Sequence, residues 1–145
     1  MNDAQAAPRP GWFAALAIVA LIWNLLGVMA FIMQVTMSPE ALAALSEPEQ
    51  ELYRALPTWA LAAFGAAVIG GALGCLALAI RSRFAVPLLA VSLLGVAAQM
   101  TYSFFLSKTF EVYGPGGMVM PIMIVIVAVF LLWLAIHAGR RGWLR

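Results

Sequence analysis

Six side chains of this 145-residue chain have the chemistry to recognise a solute: Asn24, Gln34, Gln99, Tyr102, Ser103 and Glu111. Amides and hydroxyls both donate and accept hydrogen bonds, so the first five suit a neutral ligand that itself carries hydroxyls. At about 100° per residue, Asn24, Gly27, Phe31 and Gln34 fall in one narrow arc of a helix, and Ser92, Gly95, Gln99 and Tyr102 repeat that arc with Ser103 beside them. Nothing comparable points to catalysis. No nucleophile–base pair, HExxH helix, phosphate-binding loop or dinucleotide glycine pattern occurs, and no enzyme is expected. Lone Cys75 and lone His137 cannot build a disulfide or a tetrahedral metal site within the chain, so no metal and no cofactor is expected.

The elements that hold these side chains must lie in a bilayer. The chain is 65% hydrophobic and 10% charged, with a mean hydropathy of +1.00, far from the roughly one-quarter charged composition of a soluble domain. Uncharged runs near 12–36, 58–80, 84–107 and 118–137 are each long enough to cross as a helix. The fold class expected is therefore an all-α integral membrane protein, a four-transmembrane-helix bundle forming a single membrane domain over 1–145. The first run exceeds the apolar core of a signal peptide and carries Asn24, so it is expected to be retained.

Arg9, Arg81, Arg83, Arg140, Arg141 and Arg145 fall on one side of this map, and only Arg54 and Lys108 on the other. The excess of positive charge predicts cytoplasmic N- and C-termini in a bacterial inner membrane, with Trp12, Trp59 and Trp143 near the interfaces. Orientation accounts for the basic residues, and no nucleic-acid partner is expected. No Asp, Glu, Lys, Arg or His lies inside a span, which argues against proton or ion coupling and sets the chain apart from small multidrug-resistance proteins, which place a glutamate in their first helix.

The first outer loop carries two helix starts, Ser38-Pro39-Glu40 and Ser46-Glu47-Pro48-Glu49, the second a capping box. Two short amphipathic helices are predicted within 38–56, either an interfacial spacer or a lid. The second outer turn, Glu111 to Pro121 ("EVYGPGGMVMP"), predicts a type II turn at Pro115-Gly116, a Lys108–Glu111 pair on the end of the third helix, and Pro121 in the first turn of the fourth. Free N–H groups at Gly116, Gly117 and Met118, close to Glu111 and Tyr113, would suit a solute hydroxyl or an anion.

Ala62, Ala66, Gly70 and Gly74, and the adjacent row Ala63, Ala67, Gly71 and Cys75, recur at the spacing that lets membrane helices approach closely. Gly27 and Gly95 notch the polar arcs, which are predicted to face each other. Asn24–Ala30 matches Ser92–Ala98 at five of seven positions, a weak internal repeat of parallel hairpins. His137, beside Arg140 and Arg141, is predicted to be a solvated end residue.

At "LIWNLLGVMAFIMQ", "LPTWALAAFG", "GALGCLALAIRSRFAVPLL" and "FEVYGPGGMVMP" the chain resembles, over nearly its whole length, a family of small four-span bacterial membrane proteins often labelled sugar transporters. The resemblance implies the fold and a transporter or facilitator of a small neutral, sugar-like solute, and it carries no catalytic residue. Because four helices hardly enclose a pathway, a homo-oligomer or a larger membrane complex is expected beside the lipid bilayer as partner. The alternative is a non-catalytic accessory subunit or assembly factor of such a complex.

Overall fold

The computed structural model describes residues 8–145, and among these every regular element is helical. The first seven residues of the expected domain lie outside the described part. Helix α1 (Gly11–Val35) is followed by two short helices, α2 (Pro39–Ala43) and α3 (Glu47–Ala55). Then come α4 (Thr58–Ala79), α5 (Ala85–Thr101) with a π-helical turn at Tyr102–Leu106, a short α6 (Thr109–Tyr113), a 3-10 turn (Pro115–Met118) and α7 (Val119–Arg140). Four of these stretches are long and apolar enough to cross a membrane. Large apolar side chains cover their outer surfaces, among them Leu26, Met33 and Ile126, each more than half exposed, as contact with lipid requires.

Prolines set the boundaries. Pro10 and Pro57 hold extended backbone just ahead of α1 and α4, and Pro39 and Pro48 occupy the first turns of α2 and α3, where a missing N–H has no helical partner to lose.

Helix α4 is the hub of the bundle, packed against both α1 and α5, and α7 packs chiefly against α5. Small residues make this possible. A Cβ at Gly95 would stand 2.7 Å from the Ala63 carbonyl oxygen and 2.8 Å from the Ala67 nitrogen, so the α4 and α5 backbones touch there. Gly70 faces the Leu88 carbonyl and the Ser92 backbone, Gly74 faces Leu89, and Gly27 abuts Val68. Both small-residue rows of α4 are thus spent within the chain: Ala67, Gly70, Gly71, Gly74 and Cys75 are buried, Ala66 is half-buried, and only Ala62 faces outward.

The two polar arcs line shared space: Asn24 and Ser92 both pack on α4, and Gln34 from α1 lies across one cavity from Gln99 and Tyr102. Asn24 donates from Nδ2 to its own-turn Ala20 carbonyl (2.9 Å) and to Cys75 Sγ (3.4 Å), while Ser92 Oγ donates to the Ala67 carbonyl (2.6 Å). Both side chains close on the same face of Gly71 of α4. The two positions aligned in the sequence repeat therefore share one partner. Ser92→Ala, which removes only a hydroxyl, is expected to lower stability by about 0.6–1 kcal/mol, read as a shift in the detergent unfolding midpoint.

At the end of the bundle that holds Arg9 and the C-terminus, Phe13, Ala17, Leu78, Leu134, Ala135 and Ala138 form the main core, each at most 2% exposed. Helix α4 ends with its last carbonyls bonded by Arg81 N–H (to Leu78, 3.1 Å) and Ser82 N–H (to Ala77, 2.7 Å). The same pattern ends α7, using Gly142 and Trp143. This Schellman geometry needs a left-handed residue, and the pair are Gly142 (φ 74°) and, unusually, Arg81 (φ 62°). The Arg81 Nε donates to the Trp143 carbonyl and its own carbonyl accepts from Arg145 N–H, both at 2.7 Å, while Arg9 donates to the Ala79 carbonyl at the α4 terminus (2.7 Å). Arg81 at a strained position thus ties the end of α4 to the C-terminal turn, and Arg9 adds a third segment to the same helix end.

His137 is partly exposed in the last turn of α7 and takes part in a ring cluster. Its ring stacks on Trp133 (5.2 Å) and meets the edge of Trp143 (5.6 Å), which also contacts Trp12 and Phe13. The C-terminal turn after α7 folds Trp143 back over the helix, a reversal that helical periodicity could not announce.

At the opposite end, the second outer turn departs from prediction. Lys108 precedes the separate helix α6 rather than extending the third span, and among the described residues no Lys108–Glu111 pair forms. Positive φ falls at Gly114 (71°), not Gly116, so Pro115 opens a 3-10 turn in place of a type II turn. That turn runs directly into α7, which leaves Pro121 in the first helical turn as predicted. The Gly117 N–H, predicted free, donates to the Gly114 carbonyl (3.0 Å).

Candidate solute site

Helix α3 lies across the outer-loop end of the bundle, and all three tyrosines of the chain hold it there. Tyr53 on α3 donates to the Gln34 carbonyl at the end of α1 (3.1 Å), and Tyr102 in the π turn donates to the Ala55 carbonyl (3.3 Å). Tyr113 on α6 donates to Glu49 Oε1 (3.3 Å). These three contacts fix α3 over that end of the bundle.

Glu49 has a second task. Its Oε2 accepts from the Ser46 N–H (3.1 Å) and hydroxyl (2.8 Å), closing the capping box at the start of α3. These hydrogen bonds hold its carboxyl below the ordinary 4.5, while burial and then the Glu49 charge push the Tyr113 phenol up, keeping it a neutral donor. A carboxyl lowered in the folded state contributes stability that is complete above the ordinary value and is lost as pH falls through the lowered one. Hydrogen exchange of the α3 amides, corrected for intrinsic rate, is therefore expected to be flat above pH 4.5 and to rise below it. In Glu49→Gln the rise should vanish, with faster exchange at neutral pH.

Beneath the lid is a vestibule of about 350 Å³, within the usual range for small-molecule sites. Gln34 comes from the last turn of α1, Gln99 from α5, Tyr102 and Ser103 from the π turn, Ser107 and Thr109 from the segment after it, and Glu49, Tyr53 and Tyr113 from the lid and its tether. No lysine, arginine or histidine lines it. The π turn matters because it widens the helix by one residue per turn and re-aims the side chains that follow, a distortion that recurs at functional sites. Tyr102 and Ser103, at its start, lie on the cavity wall.

Among the described residues, the side chains of Gln34, Gln99 and Ser103 form no hydrogen bond within the protein. Two amides and a hydroxyl, each only partly exposed, face the same space with their donors and acceptors free. No protein-family model, curated protein or solved structure matches the chain. The chemistry of the site must then be taken from these side chains: they can bind a ligand that both accepts and donates, and nothing near them favours a negative charge.

Below the vestibule a second cavity of about 330 Å³ runs between α1 and α7 over the α4–α5 face. Trp23, Leu26, Val68, Ile124 and Val127 line it, and Phe64 and Gln99 line both chambers. Phe64 is fixed edge-on against Phe31 (5.4 Å), whose ring lies over Gly65.

The predicted site residues are thus distributed unequally. Gln34, Gln99, Tyr102 and Ser103 converge on the vestibule. Asn24 instead lines the lower cleft with its amide donors committed to Ala20 and Cys75. Glu111 is exposed and lines neither chamber, because α6 is a separate helix that turns it outward. The carboxylate at the vestibule is Glu49, which the sequence marked only as a helix cap. Thr109 and Ser107 carry no sequence signal beyond their type, since a break in the third helix places them.

Proposed function

We propose that this chain is a multi-pass bacterial inner-membrane protein that acts as a transporter or facilitator of a small neutral polar solute, sugar-like in its hydroxyls, working as an oligomer. The observation that carries the reading is the set of unpartnered, uncharged hydrogen-bonding groups, Gln34, Gln99 and Ser103, around a vestibule closed by a tethered lid. Arg9, Arg81, Arg83 and Arg145 gather at the opposite end, which supports cytoplasmic termini and an outward-facing vestibule. Among the described residues no Asp, Glu, Lys or Arg lies in the interior of a span, which favours passage down a gradient.

The second reading, an accessory subunit without transport, draws support from the sealed core around Phe13, Leu78 and Leu134, which leaves no passage to that end in this conformation. The glycine row of α4 no longer supports it, since α1 and α5 occupy that row. Uptake of radiolabelled hexoses and polyols into proteoliposomes tests the choice. Saturable uptake that Gln99→Leu removes is expected; rates no higher than in protein-free liposomes across the panel would sink the transporter reading.

A further inference from the structure

We infer that the vestibule and the cleft below it form one site for an amphiphile, with a neutral hydroxyl-bearing head under the lid and a single hydrocarbon chain between α1 and α7. This rests on the solute reading above and names the class of solute.

The chambers meet at Phe64 and Gln99, which line both. Above that line are free amides and hydroxyls, whereas below it the surface is hydrocarbon. Apart from Gln99 at the junction, the amide and hydroxyl side chains in the cleft, Asn24 and Ser92, have their donors committed inside the protein, so a wholly polar ligand finds no free donor there. The cleft also opens sideways: its lining residues Leu26 and Met120 are 58% and 55% exposed on the membrane-facing surface. A chain can enter there from the bilayer.

Hydrocarbon alone would not hold it, because lipid tails are as apolar as the cleft and transfer between them has little driving force. Selectivity must come from the head. Neither chamber presents a cation and the vestibule carries Glu49, so a phosphate-bearing head has no counter-charge, while a sugar-like head finds donors and acceptors in Gln34, Gln99 and Ser103. Common phospholipids are thereby disfavoured in a site open to them.

The test uses the full chain in phosphatidylcholine nanodiscs and a dodecyl glucoside carrying a diazirine at the chain end, with cross-linked peptides read by mass spectrometry. Label is expected on Trp23, Leu26, Ile124 and Val127, displaced by unmodified dodecyl glucoside. It should fall about tenfold in Gln99→Leu, the factor for one lost hydrogen bond. Ala30→Trp, which fills the cleft from α1, should abolish it. Label spread evenly over the outer faces of the helices, equal labelling by a phosphocholine-headed analogue, or a dimer seam through α1 and α7 that excludes the probe would each overturn the inference. If free glucose binds in a Gln99-dependent way but the chain never labels the cleft, this inference fails while the solute reading stands. If neither binds, both fail.

Discussion

Gly95→Ala is expected to destabilise the bundle by about 3 kcal/mol, the upper end of the usual cost of overpacking. The added methyl would meet the Ala63 carbonyl at 2.7 Å, the Ala67 nitrogen at 2.8 Å and the Ala67 Cα at 3.1 Å, all backbone of a helix that cannot rotate a side chain out of the way. The two helices must separate, and the Ser92 hydroxyl then loses the Ala67 carbonyl next to it. Gly139 is the control, because a Cβ there meets nothing within 4 Å. Gly139→Ala should hold or raise stability, by up to about 1 kcal/mol from helix propensity. Unfolding midpoints of both variants in one detergent check the contrast. Equal effects would mean that α4 and α5 do not touch at Gly95.

The second large effect separates two amides that look alike in the sequence. Gln99→Leu is expected to weaken solute binding at least tenfold while leaving the unfolding midpoint within about 0.5 kcal/mol of wild type. Its side chain bonds to nothing in the protein and borders both chambers. Asn24→Leu should do the reverse. Its amide bridges α1 to Cys75 and lies tight against Gly71, so leucine removes a hydrogen bond and forces a branched chain against a glycine chosen for closeness. A stability loss of about 2 kcal/mol with the affinity of the remaining folded protein nearly unchanged is the expected result. Parallel binding and unfolding measurements on the two variants check it.

These contrasts show what a one-dimensional reading can and cannot reach. Span number and ends, the lid helices and the capping box at Ser46 and Glu49 depend on local composition and punctuation, so they were legible. The close-packing role of Gly70, Gly74 and Gly95 was legible as well, because small residues at four-residue spacing have few other uses in a membrane. The partner across each arc was not. Periodicity tells which residues share a face and is silent on which helix covers it, and α4 took Asn24 and Ser92 from the two arcs. Glu111 illustrates a different limit. Its position in space relative to Tyr102 depends on where the third helix stops, and the π turn followed by a separate α6 placed it outside and left α3 to supply Glu49. Arg81 in a left-handed cap was equally hidden, since glycine is the residue expected there.

The central claim is that Gln34, Gln99 and Ser103 bind a neutral hydroxylated solute beneath the lid. Equilibrium binding of radiolabelled hexoses, pentoses and polyols to the protein in nanodiscs tests it most directly, with wild type set against the Gln34→Leu/Gln99→Leu double variant. Saturable binding of at least one compound to wild type, weakened about a hundredfold in a double variant of unchanged unfolding midpoint, is the predicted result. No saturable binding across the panel, or binding that the double variant retains in full, would contradict it.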